Sequence, residues 1–457
     1  MSKFELQRRN FLKSCLSKSV AGAGAYASLS SLGMMNAFAQ TSGDYKALVC
    51  LFLFGGNDSY NMLIPTSNSA YNQYSDAREG LAIPRADILR ASARGSDGND
   101  YGFHPSMEGV RTLFNQGNLS VVGNVGALVA PTSKTDYENG RVPLPPRLFS
   151  HNDQQDFWHS LKTDVPQPRG WAGRMADAMV DANRNSRLSM NISMSGRNLF
   201  QVGDNTSPYA MSSSGIVPMG GLNRSSRNAQ EQRRIEAFDA MMKNSYDNIY
   251  ANEFAKVKSR SEMLSTFVGD ALSSARAFTT PLPAENGIAQ SLSTVAKMID
   301  SRSTLNMNRQ IFFVGVGGWD THSDQLSRQQ GLLKSLSDAL KYFYDLTVEM
   351  RLQDQITTFT AADFGRTLGS NGSGSDHGWG GHQLVMGGAV DGKKIFGEMP
   401  ELVIGGAQDS GRGRLIPTTS IDQYAATLAS WYGLSASDIA DIFPNLGNFS
   451  NVNLGFV

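Results

Sequence analysis

Cysteine is nearly absent from this chain, with two in 457 residues, Cys15 and Cys50. Cys15 lies in an N-terminal stretch that reads as a removable leader, which leaves Cys50 alone inside an apolar run and excludes an internal disulfide. Stability must then come from a buried core, which a chain of this length can build. Net charge is lacking too: 41 basic side chains balance 41 acidic ones, so nothing steers the protein toward nucleic acid or anionic lipid. No stretch is apolar enough for a permanent membrane span, since the run from Val20 to Phe38 is diluted by Gly, Ala and Ser and has Lys18 close by. The chain shows no internal repeat. No Gly-x-Gly-x-x-Gly follows the first apolar run, where Gly55-Gly56-Asn57-Asp58 stands instead, so the phosphate cradle of a dinucleotide site is missing.

The N-terminus holds Gln7-Arg8-Arg9-Asn10-Phe11-Leu12-Lys13, then the mildly apolar run, then the small-residue site Ala37-Phe38-Ala39. This pattern is expected to be a twin-arginine signal over residues 1–39, read by the twin-arginine export machinery and cleaved, with the mature protein periplasmic or secreted. That route carries proteins already folded, often with a cofactor loaded. Cleavage removes five basic residues and one acid (Glu5), so the mature chain would carry 36 basic and 40 acidic side chains, a net charge near −4.

Along the remaining chain, Tyr45 to Phe54 is a continuous apolar run of strand length, ended abruptly by Gly55-Gly56. Continuous apolarity means burial on both faces, as in a parallel sheet. Further runs of this kind are Leu119 to Val125, Leu188 to Met194, Gln310 to Val316, Gln355 to Ala361 and Gln383 to Met386. Helical patterns cover Asn228 to Phe254, Lys256 to Ala277, Ser323 to Leu352 and Ser420 to Tyr432. Buried strands alternating with long helices predict an α/β sandwich around a mostly parallel sheet. A single domain is expected over 40–457, with a Ser-, Gly- and Asn-rich loop and helical insertion at about 197–300.

Histidine is also scarce, at six, yet three of the six fall in two short segments, Gly317 to Asp324 and Gly374 to His382, each mixing imidazole with carboxylate. Such groups suit a divalent cation (Zn, Mn, Mg or Ca), one or two ions. The plainer reading is a pair of Gly-rich turns in which Asp and His cap backbone groups. Position adds weight: Asp58, Asp320 with His322, and Asp363 each follow a predicted strand, and ligands in open α/β sheets gather at carboxyl ends of strands. Asp after a strand can instead be the N-cap of the next helix. Arg366 could clamp phosphate or sulfate oxygens or simply pair with a nearby acid. His104 and His159 lie beside turn or aromatic residues without a carboxylate pattern and read as structural.

Segments GGNDSYNMLIP (Gly55 to Pro65), FSHNDQQDFW (Phe149 to Trp158), GWAGRM (Gly170 to Met175), GGWDTHSDQ (Gly317 to Gln325), FTAADFGRT (Phe359 to Thr367), GSDHGWGGH (Gly374 to His382) and IDQYAATLASWYGL (Ile421 to Leu434), with the twin-arginine leader, together resemble the bacterial family called domain of unknown function 1501. The likeness runs over nearly the whole mature chain. That family is similar to the alkaline phosphatase and sulfatase superfamily, which implies an alkaline-phosphatase-like three-layer sandwich and, in active members, a two-metal centre transferring phosphoryl or sulfuryl groups. The resemblance implies metal ligation by Asp58, by Asp320 and His322, by Asp376 and His377, and by His382. Asp363 also sits where many members keep an Asp-His pair, but Phe364 follows it, so Asp363 and Asp376 both stand as ligand candidates. The sulfatase motif of Cys, two residues later Pro, then Arg is absent. The hydroxyls available as nucleophile are Ser150, beside His151, and Thr132-Ser133; His151 and Asp153 could instead be ligands or a substrate-contacting pair. The implied activity is hydrolysis of a small-molecule or glycan ester of phosphate or sulfate, and the alternative is a non-catalytic binding or assembly protein that keeps the fold.

Overall fold

The computed structural model describes residues 45–161, 168–216, 222, 224 and 226–457. The expected leader, with its twin arginines and Cys15, lies outside these residues. Twelve strands are described: β1 (Lys46–Leu53), β2 (Leu63–Pro65), β3 (Leu89–Arg94), β4 (Asp100–Phe103), β5 (Leu119–Gly126), β6 (Asn191–Ser193), β7 (Tyr209–Ala210), β8 (Arg309–Val316), β9 (Ile356–Ala362), β10 (Gly381–Met386), β11 (Ile395–Phe396) and β12 (Thr419–Ser420). The principal helices are α1 (Asn68–Arg78), α2 (Glu108–Asn115), α3 (His151–Ser160), α4 (Trp171–Ala178), α5 (Ala229–Lys243), α6 (Ile249–Ser273), α7 (Gly287–Asp300), α8 (Gln325–Glu349) and α9 (Ile421–Tyr432).

The main sheet runs β11-β5-β10-β9-β1-β8-β6-β7, with β12 beside β5. Its pairings are parallel except those of β10, which is antiparallel to both β5 and β9. β1 lies between β8 and β9, with Cys50 opposite both Phe313 and Phe359. Its alternate residues feed two cores, because successive side chains in a strand point to opposite faces. Ala47, Val49, Leu51 and Leu53 pack with α2, α7 and α8; Leu48, Cys50 and Phe52 pack with α3, α4 and α9. Each large apolar side chain so buried contributes roughly 1.5–3 kcal/mol. The expected α/β architecture, a mostly parallel central sheet flanked by helices, is the one observed. A smaller antiparallel sheet, β2-β4-β3, stands apart from it.

Two expected elements differ in extent. The strand anticipated from Leu188 narrows to β6 because the hydroxyls of Ser186 and Ser189 accept the amides of Leu188 and Asn191 and divert the preceding residues from the ladder. The helical pattern from Asn228 to Phe254 splits, since the Asn248 side chain accepts from the amides of Tyr250 and Ala251 and caps a new helix, α6. Among the described residues, no helix is long and apolar enough to cross a membrane.

Candidate metal centre

The carboxyl ends of β1, β8 and β9 and the start of β10 share one edge of the sheet, because β10 alone runs the other way. Gly55 and Gly56, directly after β1, have φ of +116° and +85°, and a Cβ on Gly55 would lie 2.3 Å from the Asp320 amide nitrogen. Only glycine lets the loops after β1 and β8 close on each other in this way. Asp320 and His322 follow β8, Asp363 follows β9, Asp376 and His377 precede β10, and His151 opens α3.

Asp320 is the hub. One of its carboxylate oxygens lies 3.1 Å from His322 Nε2 and 3.3 Å from His377 Nε2, while the other lies 3.5 Å from His151 Nε2. His322 Nε2 and His377 Nε2 are 2.9 Å apart. Each ring's second nitrogen has its own acceptor. His151 Nδ1 meets Asp363 Oδ2 at 2.6 Å, His322 Nδ1 meets Asp376 Oδ1 at 3.3 Å, and His377 Nδ1 meets the Phe149 carbonyl at 2.7 Å. A carbonyl or an ionised carboxylate can only accept, so Nδ1 carries a proton in each ring, and a ring in its neutral form turns an Nε2 lone pair inward. Two such lone pairs at 2.9 Å repel unless a cation or a proton lies between them. A cation with four ligands at about 2.0–2.1 Å needs donor atoms on the order of 3.3 Å apart. The spacings of 2.9–3.5 Å around Asp320 are of that size. The group His151, Asp320 and His377 could therefore hold a metal ion, with ligand atoms within 4.8 Å of one another.

The surrounding groups set the electrostatics. The hydrogen bond that His151 donates to Asp363 raises the pKa of His151 against the opposing effect of burial, whereas burial lowers that of His377. Burial pushes Asp320 up, but the hydrogen bond and charge of Arg366 outweigh it and hold the carboxylate below its ordinary range. Asp376 is held low by Asn371, His322 and Arg412. Asp363 Oδ2 also accepts from Gln155 Nε2 at 3.0 Å and the Gly55 amide at 3.1 Å. Phe149 has φ of +75°, a strained value for an aromatic residue, and its ring lies 4.1 Å under the Arg414 guanidinium. That backbone kink aims the carbonyl at His377.

Some residues nominated from the sequence lie elsewhere in this network. The Asp58 carboxylate forms a buried ion pair with Arg78 and accepts from Gln325, so a guanidinium rather than the histidine cluster meets it. His382 is buried, accepts the Asn124 amide on Nδ1 at 3.1 Å and stands edge-on to Tyr60; burial lowers its pKa to about 3. Arg366 is buried, with its donors on Asp320 at 2.7 Å, the Gly55 carbonyl at 3.2 Å and Ser375. Ser150 precedes α3 and its hydroxyl donates to Asp153 at 2.6 Å. Thr132 donates to the Ala130 carbonyl, and Ser133 closes a capping box with Asp136. His159 sits among Phe52, Phe200 and Phe313, and His104 is likewise buried.

Sequence reasoning did not nominate Arg78, Gln155, Phe149 or Gln325. Gln155 was legible, because it lies one helical turn after His151 on the same face. Arg78 carried no such signal.

Fold and site together define an α/β protein with an imidazole and carboxylate centre at the carboxyl edge of a mostly parallel sheet. Residues 45–410 match the model of the family described as Protein of unknown function (DUF1501), and the chain belongs to that family. Similar solved structures include Ps i-CgsB in complex with k-i-k-neocarrahexaose, 10% identical with a TM-score of 0.35 over 86% of this chain and 74% of that one. The PsFucS1 sulfatase from Pseudoalteromonas sp. is 9% identical, with a TM-score of 0.37 over 91% of this chain and 73% of that one. A mutant of the alkaline phosphatase PafA is 12% identical, with a TM-score of 0.24 over 71% of this chain and 64% of that one. No curated protein matches the chain.

Proposed function

We propose that this is an exported metalloprotein in which His151, His322, His377 and Asp320 bind one divalent cation, and that it hydrolyses phosphate or sulfate esters, glycan esters among them. The observation that carries the reading is the tethering of all three Nδ1 atoms, to Asp363, Asp376 and the Phe149 carbonyl. Such partners fix the tautomer and aim of metal-ligating histidines. Three imidazoles and one carboxylate favour zinc over manganese, magnesium or calcium, which prefer oxygen. When bound, such an ion supplies Lewis acidity toward an ester oxygen. Arg366 and Asp320 then hold each other in place, and Arg412, which is exposed and 3.0 Å from Asp376, offers positive charge at the rim to an anionic ester. Export through the twin-arginine route to the periplasm or beyond belongs to the same reading.

The test is elemental analysis of the mature protein, followed by assay of phosphate and sulfate mono- and diesters with added Zn²⁺, Mn²⁺, Mg²⁺ or Ca²⁺. The expectation is about one ion per chain and turnover abolished by Asp320→Ala or His377→Ala. Absence of any bound ion, with thermal stability unchanged in Asp320→Ala combined with His322→Ala, refutes the reading. One observation favours a non-catalytic binding or assembly protein instead: Ser150, Thr132 and Ser133, the hydroxyls nominated as nucleophile, are all engaged in local hydrogen bonds. That alternative predicts metal bound without turnover.

A further inference from the structure

A second concavity, of about 450 Å³, lies where the chain enters β6 and β7. Arg184, Arg187 and Arg260 line it, with Val180, Thr206 and Tyr209 among the rest, and no carboxylate is among the lining residues. The neighbouring acids are already engaged. Asp181 lies 3.5 Å from Arg184, Asp204 lies 2.5 Å from Arg169, and Asp177 accepts from the amides of Asp204 and Asn205 and the Thr206 hydroxyl. Arg187 and Arg260 have no ion-pair partner among the described residues, and both are exposed to solvent. The lining itself carries three positive charges and no negative one, and with the neighbouring Arg169, Asp177, Asp181 and Asp204 included the balance is still positive, by one.

We propose that this cleft is an oxyanion-binding site for phosphate or sulfate groups. Guanidinium groups match such oxygens bidentately, and here they line one cleft from separate segments, the approach to β6 and helix α6. Val180 and Tyr209 add apolar surface for the carbon skeleton of an ester, and the volume falls within the range of small-ligand pockets. The cleft is separate from the histidine cluster. Asn183, which lines it, accepts the amides of Asn308 and Arg309 at the start of β8, while Asp320 follows the end of that strand. Eight residues of strand place the two roughly 25 Å apart.

Binding of inorganic phosphate, dextran sulfate and neutral dextran to the full mature chain, measured by calorimetry at low ionic strength, tests the proposal. Phosphate, dextran sulfate or both should bind, and neutral dextran should not. Arg187→Ala with Arg260→Ala should weaken binding at least tenfold, and Arg260→Gln alone should weaken it severalfold. A response to dextran sulfate alone assigns the site to groups displayed on a polymer, and a response to phosphate alone assigns it to a free small anion. The proposal is overturned if neither anion binds, or if Arg90→Ala with Arg94→Ala on the exposed strand β3 weakens binding as much.

Discussion

Replacing Asp363 by Asn isolates the contribution of one supporting carboxylate to metal affinity. Asp363 Oδ2 receives His151 Nδ1 at 2.6 Å, Gln155 at 3.0 Å and the Gly55 amide at 3.1 Å, while Oδ1 is buried without a partner. An asparagine keeping its oxygen toward His151 retains the three contacts but loses the charge, and its amide then lies buried where Oδ1 was. A hydrogen bond to a charged group contributes about 1.5–3 kcal/mol and a neutral one about 0.5–1.5. The difference, about 1–1.5 kcal/mol, corresponds to roughly a 5- to 13-fold loss of metal affinity, near the lower end of the range of about 10–100-fold for groups that orient metal-ligating histidines. Asp376→Asn should lose less, because its contact with His322 is longer at 3.3 Å and its charge is shared with Arg412 and Asn371. Titration of Zn²⁺ against a competing chelator, alongside melting curves, ranks parent, Asp376→Asn and Asp363→Asn in order of falling affinity. Equal zinc affinity in all three would falsify the reasoning that these carboxylates orient ligands.

His322→Ala should lower zinc affinity with little change in melting temperature because His322 is exposed, whereas His382→Ala should destabilise the buried site by about 2 kcal/mol or more and leave zinc affinity intact once folded; melting and chelator titration together separate the two. Arg78→Met should cost about 3–5 kcal/mol because it strands the buried Asp58 carboxylate, while Arg78→Met with Asp58→Asn should recover part of the loss in denaturant unfolding. Burial lowers the pKa of His159 from 6.5 to about 3, so the unfolded chain binds a proton there that the folded chain does not, and that contribution to stability is lost as pH falls from 6.5 toward 3. His159→Phe should therefore remove about 1.4 kcal/mol per pH unit from the pH dependence of unfolding between pH 6 and 4; an unchanged slope would show that His159 is protonated in the fold.

The sheet was legible because its central strands are continuous apolar runs. Lys46–Leu53, Arg309–Val316 and Ile356–Ala362 lie within a residue or so of the expected segments. Helix α3 was not anticipated, because its buried face mixes polar residues such as Gln154 and His159 with apolar ones. In the site, Asp320, His322, Asp376 and His377 were nominated by composition and strand-end position, and the structure brings them together. Asp58 and His382 share the same local signature, and what separates them is long-range: Arg78 reaching the first from a separate helix and the Asn124 amide reaching the second from β5. Spacing along the chain carries no record of such partners.

The ion pair between Arg78 and Asp58 divides the positive charge of the crevice into two kinds. An ion held by imidazoles can be starved, exchanged or extracted by a scavenger, but a guanidinium is part of the polypeptide and is present from the moment of synthesis. The wall behind Asp320, through Arg366, Ser375 and Gln325 to Asp58, is thus assembled before any metal arrives. If the proposed ion is bound there, its scarcity would empty the mouth of the crevice and leave its foundation standing.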